Sequence, residues 1–124
     1  MVGSINKEVE LEIKATSFLG FSSYGFIVVG DRGFEFFNDK DPKDFVQIPW
    51  AEVDKVAVSV LFGGRYIPRF GFMTKKNGTL TFSTRDNKKT LRAIRKYLGP
   101  DKIVKSLGFF QVLGRGIKGI FNRK

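Results

Sequence analysis

The hydrophobic period changes once along this chain, and that change sets what it can fold into. Up to about residue 83 the apolar residues come in short runs with a period of two. From residue 87 they recur at helical spacing. Lys7 to Lys14 sets the first pattern: Val9, Leu11 and Ile13 alternate with Glu8, Glu10 and Glu12, as in a strand with one wetted face. Ala15 to Gly25 reads as a Gly/Ser-bearing connection that carries Phe18, Leu19, Phe21 and Tyr24. Phe26–Val29 and Phe34–Phe37 flank the turn Asp31-Arg32-Gly33 and form a hairpin. A polar loop, Asn38 to Asp44, leads to a fourth strand at Phe45–Ile48.

Val53 to Phe62 reads as one long strand with Val56, Val58, Val60 and Phe62 on one face, turned at Gly63-Gly64. Arg65 to Thr74 returns, and Pro68 within it suggests an edge or a bulge. Asn77-Gly78 is the strongest hairpin turn in the chain. Thr79–Ser83 follows, with Leu80 and Phe82 inward. The expected architecture is mostly β: seven antiparallel strands in a bent sandwich or barrel.

Asp86 or Thr84 can cap a helix over Asn87–Leu98, with the apolar stripe Leu91, Ile94 and Leu98. Gly99-Pro100 stops it. This helix would close residues 1–100 as one body. A shorter turn is expected over Asp101 to Leu107. Residues 101–124 form a separate basic, amphipathic segment. Wound as a helix, Phe109, Phe110, Val112, Leu113, Ile117, Ile120 and Phe121 share its broad face. Gly108, Gly114, Gly116 and Gly119 weaken it by roughly 1 kcal/mol each against alanine.

Charge follows the same division. The net charge is +10, yet residues 1–84 carry ten basic and ten acidic side chains. The remaining forty carry twelve basic residues against Asp86 and Asp101. An excess concentrated in this way points to an anionic partner. Three surfaces are candidates. The terminal segment offers Phe109, Phe110, Leu113, Arg115, Ile117, Lys118, Ile120, Phe121, Arg123 and Lys124, either packed on its own body, laid on a membrane surface, or inserted into a protein groove. The helix offers Lys88, Lys89, Arg92, Arg95 and Lys96, which otherwise form a solvated back. The loop with Phe18, Leu19, Phe21 and Tyr24 either fills the core or exposes a sticky tip.

Composition narrows the chemistry. The 124 residues include no histidine and no cysteine, which removes the commonest general base and the thiol nucleophile. Glu8, Glu10 and Glu12 read as the solvated side of a strand. Asp39, Asp41 and Asp44 read as a plain turn, because Lys40 and Lys43 interleave and the glycine and terminal acid of a calcium loop are missing. No enzyme, metal or cofactor is expected. The start of the chain lacks a secretory pattern and its apolar runs are short, so a cytoplasmic location is expected.

The fold layout and one group of motifs suggest a relationship. Seven antiparallel strands followed by a helix is the layout of pleckstrin-homology-like and GRAM-like domains. The chain also resembles the ManO-like family, encoded beside mannose-class phosphotransferase-system genes in Gram-positive bacteria. The residues that carry this are Lys14-Ala15-Thr16-Ser17, Gly30-Asp31-Arg32-Gly33-Phe34-Glu35-Phe36, Ile48-Pro49-Trp50, Ile67-Pro68-Arg69-Phe70, Thr74-Lys75-Lys76-Asn77-Gly78 and Leu91-Arg92-Ala93-Ile94-Arg95. The resemblance implies a non-enzymatic partner or regulator of the membrane subunits of a mannose-class sugar permease, held at the anionic inner membrane surface. Phosphate relays in that system run through histidine or cysteine, so this chain is expected to act by binding. The rival readings are a nucleic-acid-binding regulator of the operon, which no recognisable motif supports, and a stand-alone anionic-lipid module. Edge strands and an exposed helix would also support a homo-oligomer.

Overall fold

A computed structural model of the chain describes residues 3–18, 22–61 and 65–105. These residues are mostly β with one α-helix. The strands are β1 (Val9–Ser17), β2 (Ser23–Gly30), β3 (Gly33–Asn38), β4 (Phe45–Pro49), β5 (Val53–Val58), β6 (Phe70–Thr74), β7 (Thr79–Thr84) and β8 (Ile103–Lys105). The helix α1 is Asn87–Leu98. All eight strands lie in one sheet, in the order β4-β3-β2-β1-β7-β6-β5-β8.

The sheet bends at β1. That strand pairs with β2 along most of its length, from Val9 to Ser17, but with β7 only through Ala15, Thr16 and Ser17. Two four-strand halves therefore hinge on three shared residues. Phe34 on β3 and Phe72 on β6 show how far the bend goes. They are four strand positions apart, which in a flat sheet means about 19 Å. Their ring centroids are 4.4 Å apart. Phe34, Phe36, Phe70, Phe72 and Phe82 form the centre of the core, all essentially without solvent exposure. Five large rings from three strands fill the space between the halves, accounting for five of the fourteen phenylalanines.

The local signals explain most of the element boundaries. At the β6–β7 turn, Gly78 takes a φ of +71°, a conformation favourable to glycine. Thr74 Oγ1 accepts from Asn77 N–H and donates to the Gly78 carbonyl. The helix runs over the residues its stripe predicts. The Asp86 carboxylate accepts from Lys89 N–H at 3.1 Å. Gly99, at φ +87°, closes the other end with its N–H on the Arg95 carbonyl.

Several expectations need correction. The sheet has eight strands rather than seven, and it is mixed: β8 runs parallel to β5. It is also open, with β4 and β8 at its ends. The turn expected from Asp101 is a single 3-10 turn, Pro100–Lys102, after which the chain becomes β8. The sheet thus takes in residues beyond 100. The long strand from Val53 stops at Val58, and its return begins only at Phe70. Pro68 has no N–H to donate, and it lies just before β6 rather than on an edge, since β6 sits between β5 and β7. The Ala15–Gly25 connection is shorter than read, because β1 runs to Ser17 and β2 starts at Ser23.

Candidate interaction surface

The basic helix is positioned by a network at its first turn. Thr84 N–H and Oγ1 both donate to Asn87 Oδ1, at 2.7 and 2.9 Å. Asn87 Nδ2 donates to the Ile67 carbonyl at 2.6 Å. Thr90 Oγ1, fully buried, bonds the Asp86 carbonyl. These contacts fix the rotation of α1. Thr90, Leu91, Ala93 and Ile94 turn inward, so Lys88, Lys89, Arg92, Arg95 and Lys96 all face solvent. Further along, Trp50 Nε1 donates to the Gly30 carbonyl at 3.0 Å, and the Trp50 ring stacks on Tyr97.

The structure brings the five predicted cations onto one exposed face, then divides them. Lys96 bonds Glu10 Oε1 at 2.8 Å. The hydrogen bond that Lys96 donates to Glu10, and then the Glu10 charge, raise the Lys96 pKa. Lys88, Arg92 and Arg95 stand on the other flank. With Ile67, Leu91 and Ile103 they line a groove of about 260 Å³ between the helix and β8. Among the described residues none of these three cations has an ion pair. Lys88 and Lys89 also sit in the first turn of α1, which has no acidic residue beyond the Asp86 cap. Cations there oppose the helix dipole, so this charge does not serve helix stability.

Two neighbouring hollows continue the basic surface. One, of about 320 Å³, lies between Arg65, Tyr66, Arg85 and Lys88. The other, of about 310 Å³, lies between Lys14, Tyr24, Asp39 and Arg85. Tyr24 and Tyr66 are both more than half exposed. Of the predicted contact loop, Tyr24 is thus on the surface. Phe18 is half-buried, with the Arg69 guanidinium 5.1 Å from its ring centre. Leu19 and Phe21 lie outside the described residues, as does the whole of the predicted terminal segment from Phe109 to Lys124.

Sequence reasoning missed a second built feature. Glu35 of β3 is fully buried on the sheet face opposite Phe34 and Phe36. It accepts from Ser4 Oγ at 2.6 Å, Ile5 N–H at 3.0 Å, Asn6 Nδ2 at 2.9 Å and Gln47 Nε2 at 2.8 Å. Asn6 Oδ1 in turn accepts from Arg32 and Gly33 N–H. Asp31 accepts from Lys7 and Glu8 N–H. The Glu8 bond is the largest influence holding the Asp31 carboxyl below its usual pKa. Four donors account for the buried carboxylate, so it is a clasp for residues 4–6 rather than a reactive group. Asp39, Asp41 and Asp44 are likewise spent locally: on Lys14, on Lys43 N–H and on Asn38 Nδ2.

The described residues therefore define a β-rich body whose built surface is a basic helix bordered by a groove. Its chain belongs to a family known as a domain of unknown function, DUF956, whose sequence model matches residues 1–117. No curated protein matches it in sequence. It is similar in fold to the crystal structure of the C-terminal domain of an unknown protein from Leishmania infantum. That match has a TM-score of 0.62 at 9% identity, covering 73% of this chain and 83% of the other. Among the described residues no helix is long and apolar enough to cross a membrane.

Proposed function

We propose that this protein is a non-enzymatic accessory factor that docks on the cytoplasmic face of a mannose-family phosphotransferase permease and modulates sugar uptake. The observation that carries the reading is the face of α1, where four cations stand without a carboxylate partner among the described residues. Near an anionic leaflet each such cation adds about 1 kcal/mol of attraction. The sequence resemblance supplies the permease. The absence of histidine and cysteine from the chain supports a role in binding rather than in phosphate relay.

On this reading the body is a pleckstrin-homology/GRAM-like domain with β8 added. The meanders β4-β3-β2-β1 and β7-β6-β5, joined at β1 and followed by a helix, support that assignment. Residues 108–124 are the second anchor. Co-purification of the permease with the full chain from cells growing on mannose is the expected result, with recovery falling on removal of residues 108–124 and on reversal of the α1 charges. Equal recovery of the permease by all three proteins would overturn the reading.

A further inference from the structure

We infer that the groove between α1 and β8 binds a peptide segment of a partner protein, one that carries an apolar side chain between two carboxylates. The inference rests on the reading of α1 as a docking element and adds the chemistry of what docks.

Charge makes the first part of the case. The rim is Lys88, Arg92 and Arg95, all exposed. The chain has twelve acidic side chains, and every one of them lies within the described residues. None pairs with the rim; the ion pairs among the described residues join Lys14 to Asp39 and Lys96 to Glu10. Residues 106–124 contain four more cations and no Asp or Glu, so that stretch has no acidic side chain to offer. A second copy of the chain is disfavoured as well, since each copy carries +10. The carboxylates come from a different molecule.

The floor makes the second part. Leu91 is buried, and Ile67 and Ile103 are half-buried, forming an apolar base beneath the cations. A free anion would leave that base wet. A flat membrane surface cannot descend into a hollow flanked by a helix. A peptide satisfies both parts, with one apolar side chain seated on the isoleucines and leucine and flanking acids on the forked guanidinium groups. Spacing refines the motif. Lys88 and Arg92, and Arg92 and Arg95, are neighbours four and three residues apart on the helix, roughly 5–6 Å. In an extended peptide residues i and i+2 share one face about 6.6 Å apart, and the residue between them faces the other way. The recognised pattern is therefore an acid, an apolar residue and a second acid.

The test is amide chemical-shift mapping on the isotope-labelled full chain. The probe is a blocked synthetic peptide containing Glu-Leu-Glu, compared with Gln-Leu-Gln, with phosphatidylglycerol vesicles and with a single-stranded oligonucleotide. The acidic peptide is expected to shift the amides of Ile67, Leu91, Arg95 and Ile103. The glutamine peptide is expected to bind at least tenfold more weakly. Arg92→Glu with Arg95→Glu should weaken the acidic peptide by a similar factor while leaving amides elsewhere in place. Equal binding of both peptides, shifts confined to other surfaces, or a response of these amides to vesicles or oligonucleotide but not to peptide would each overturn the proposal. Peptide binding without permease recovery would support the groove and sink the permease reading. Permease recovery without peptide binding would do the reverse.

Discussion

The indole ring of Trp50 and the phenol ring of Tyr97 lie almost parallel, 14° apart, with centroids separated by 5.9 Å. One ring follows directly on β4 and the other is in the last turn of α1. Since Trp50 is also bonded to the Gly30 carbonyl, the helix end is held on a fixed point of the sheet. The chain has one tryptophan, so its fluorescence reports on this one site. Tyr97→Ala should shift the Trp50 emission to longer wavelength and cost about 1–3 kcal/mol, combining lost burial with lost stacking. An emission spectrum identical to that of the parent would show that the rings do not meet in solution.

Phe34 is where the two halves of the sheet close on each other, touching Phe70, Phe72 and Phe82. Phe34→Ala should cost about 3–5 kcal/mol, the range for large cavities in packed cores. Lys89→Ala, on the open face of the helix, should stay within about 0.5 kcal/mol. Urea denaturation of the two variants measures the contrast. A Phe34→Ala cost as small as that of Lys89→Ala would contradict the bend described here.

Glu35 gathers donors from residues 4–6 and from Gln47. Replacing it by alanine leaves those groups to find water, which they do by releasing the N-terminal segment. Glu35→Ala should cost about 1–3 kcal/mol and speed hydrogen exchange at residues 4–8 well before the rest of the sheet responds. Uniform exchange rates across the chain in that variant would remove the clasp from the account.

The Asp31 carboxyl is held below its usual pKa, first by the Glu8 N–H bond. A group depressed in the folded state stabilises the fold above its unfolded pKa, and that contribution is lost as pH falls through the folded value. The N-terminal segment should therefore loosen in the acid range below pH 4, and Asp31→Asn should remove that part of the pH dependence. Following the Asp31 carboxyl carbon by NMR gives the check: an inflection at or above the ordinary aspartate position counts against the bond.

How far the sequence foretold this can be judged element by element. The helix α1 was readable because cap, stripe and stop agreed: Asp86, then Leu91 and Ile94, then Gly99-Pro100. The Asn77-Gly78 turn was readable for the same local reason. The strand β8 was not, because three residues have no measurable period and their partners in β5 lie forty-seven positions earlier. Val60 continued the alternation of β5, but beyond Val58 the pairing is irregular, kept only by the Ser59 N–H bond to Arg69 and the Leu61–Tyr66 bridge, with Pro68 offering no N–H. Glu35 followed the rule for a solvent-facing strand position, and only the crossing of residues 4–6 buries it. The α1 cations were legible one by one. The groove was not, since Ile67, Leu91 and Ile103 converge only through the tertiary fold.

The parallel pairing of β8 with β5 has a consequence for the order in which the protein is made. A newly synthesised chain completes β5 at Val58 but cannot cover its outer edge until Ile103–Lys105 has left the ribosome. For the whole interval in which β6, β7 and α1 are produced, that edge offers unpaired backbone donors and acceptors to any neighbour. The few residues of β8 thus act late, and a nascent chain that stalls near Gly99 leaves open the Val56–Val58 edge that the finished molecule pairs with Ile103–Lys105.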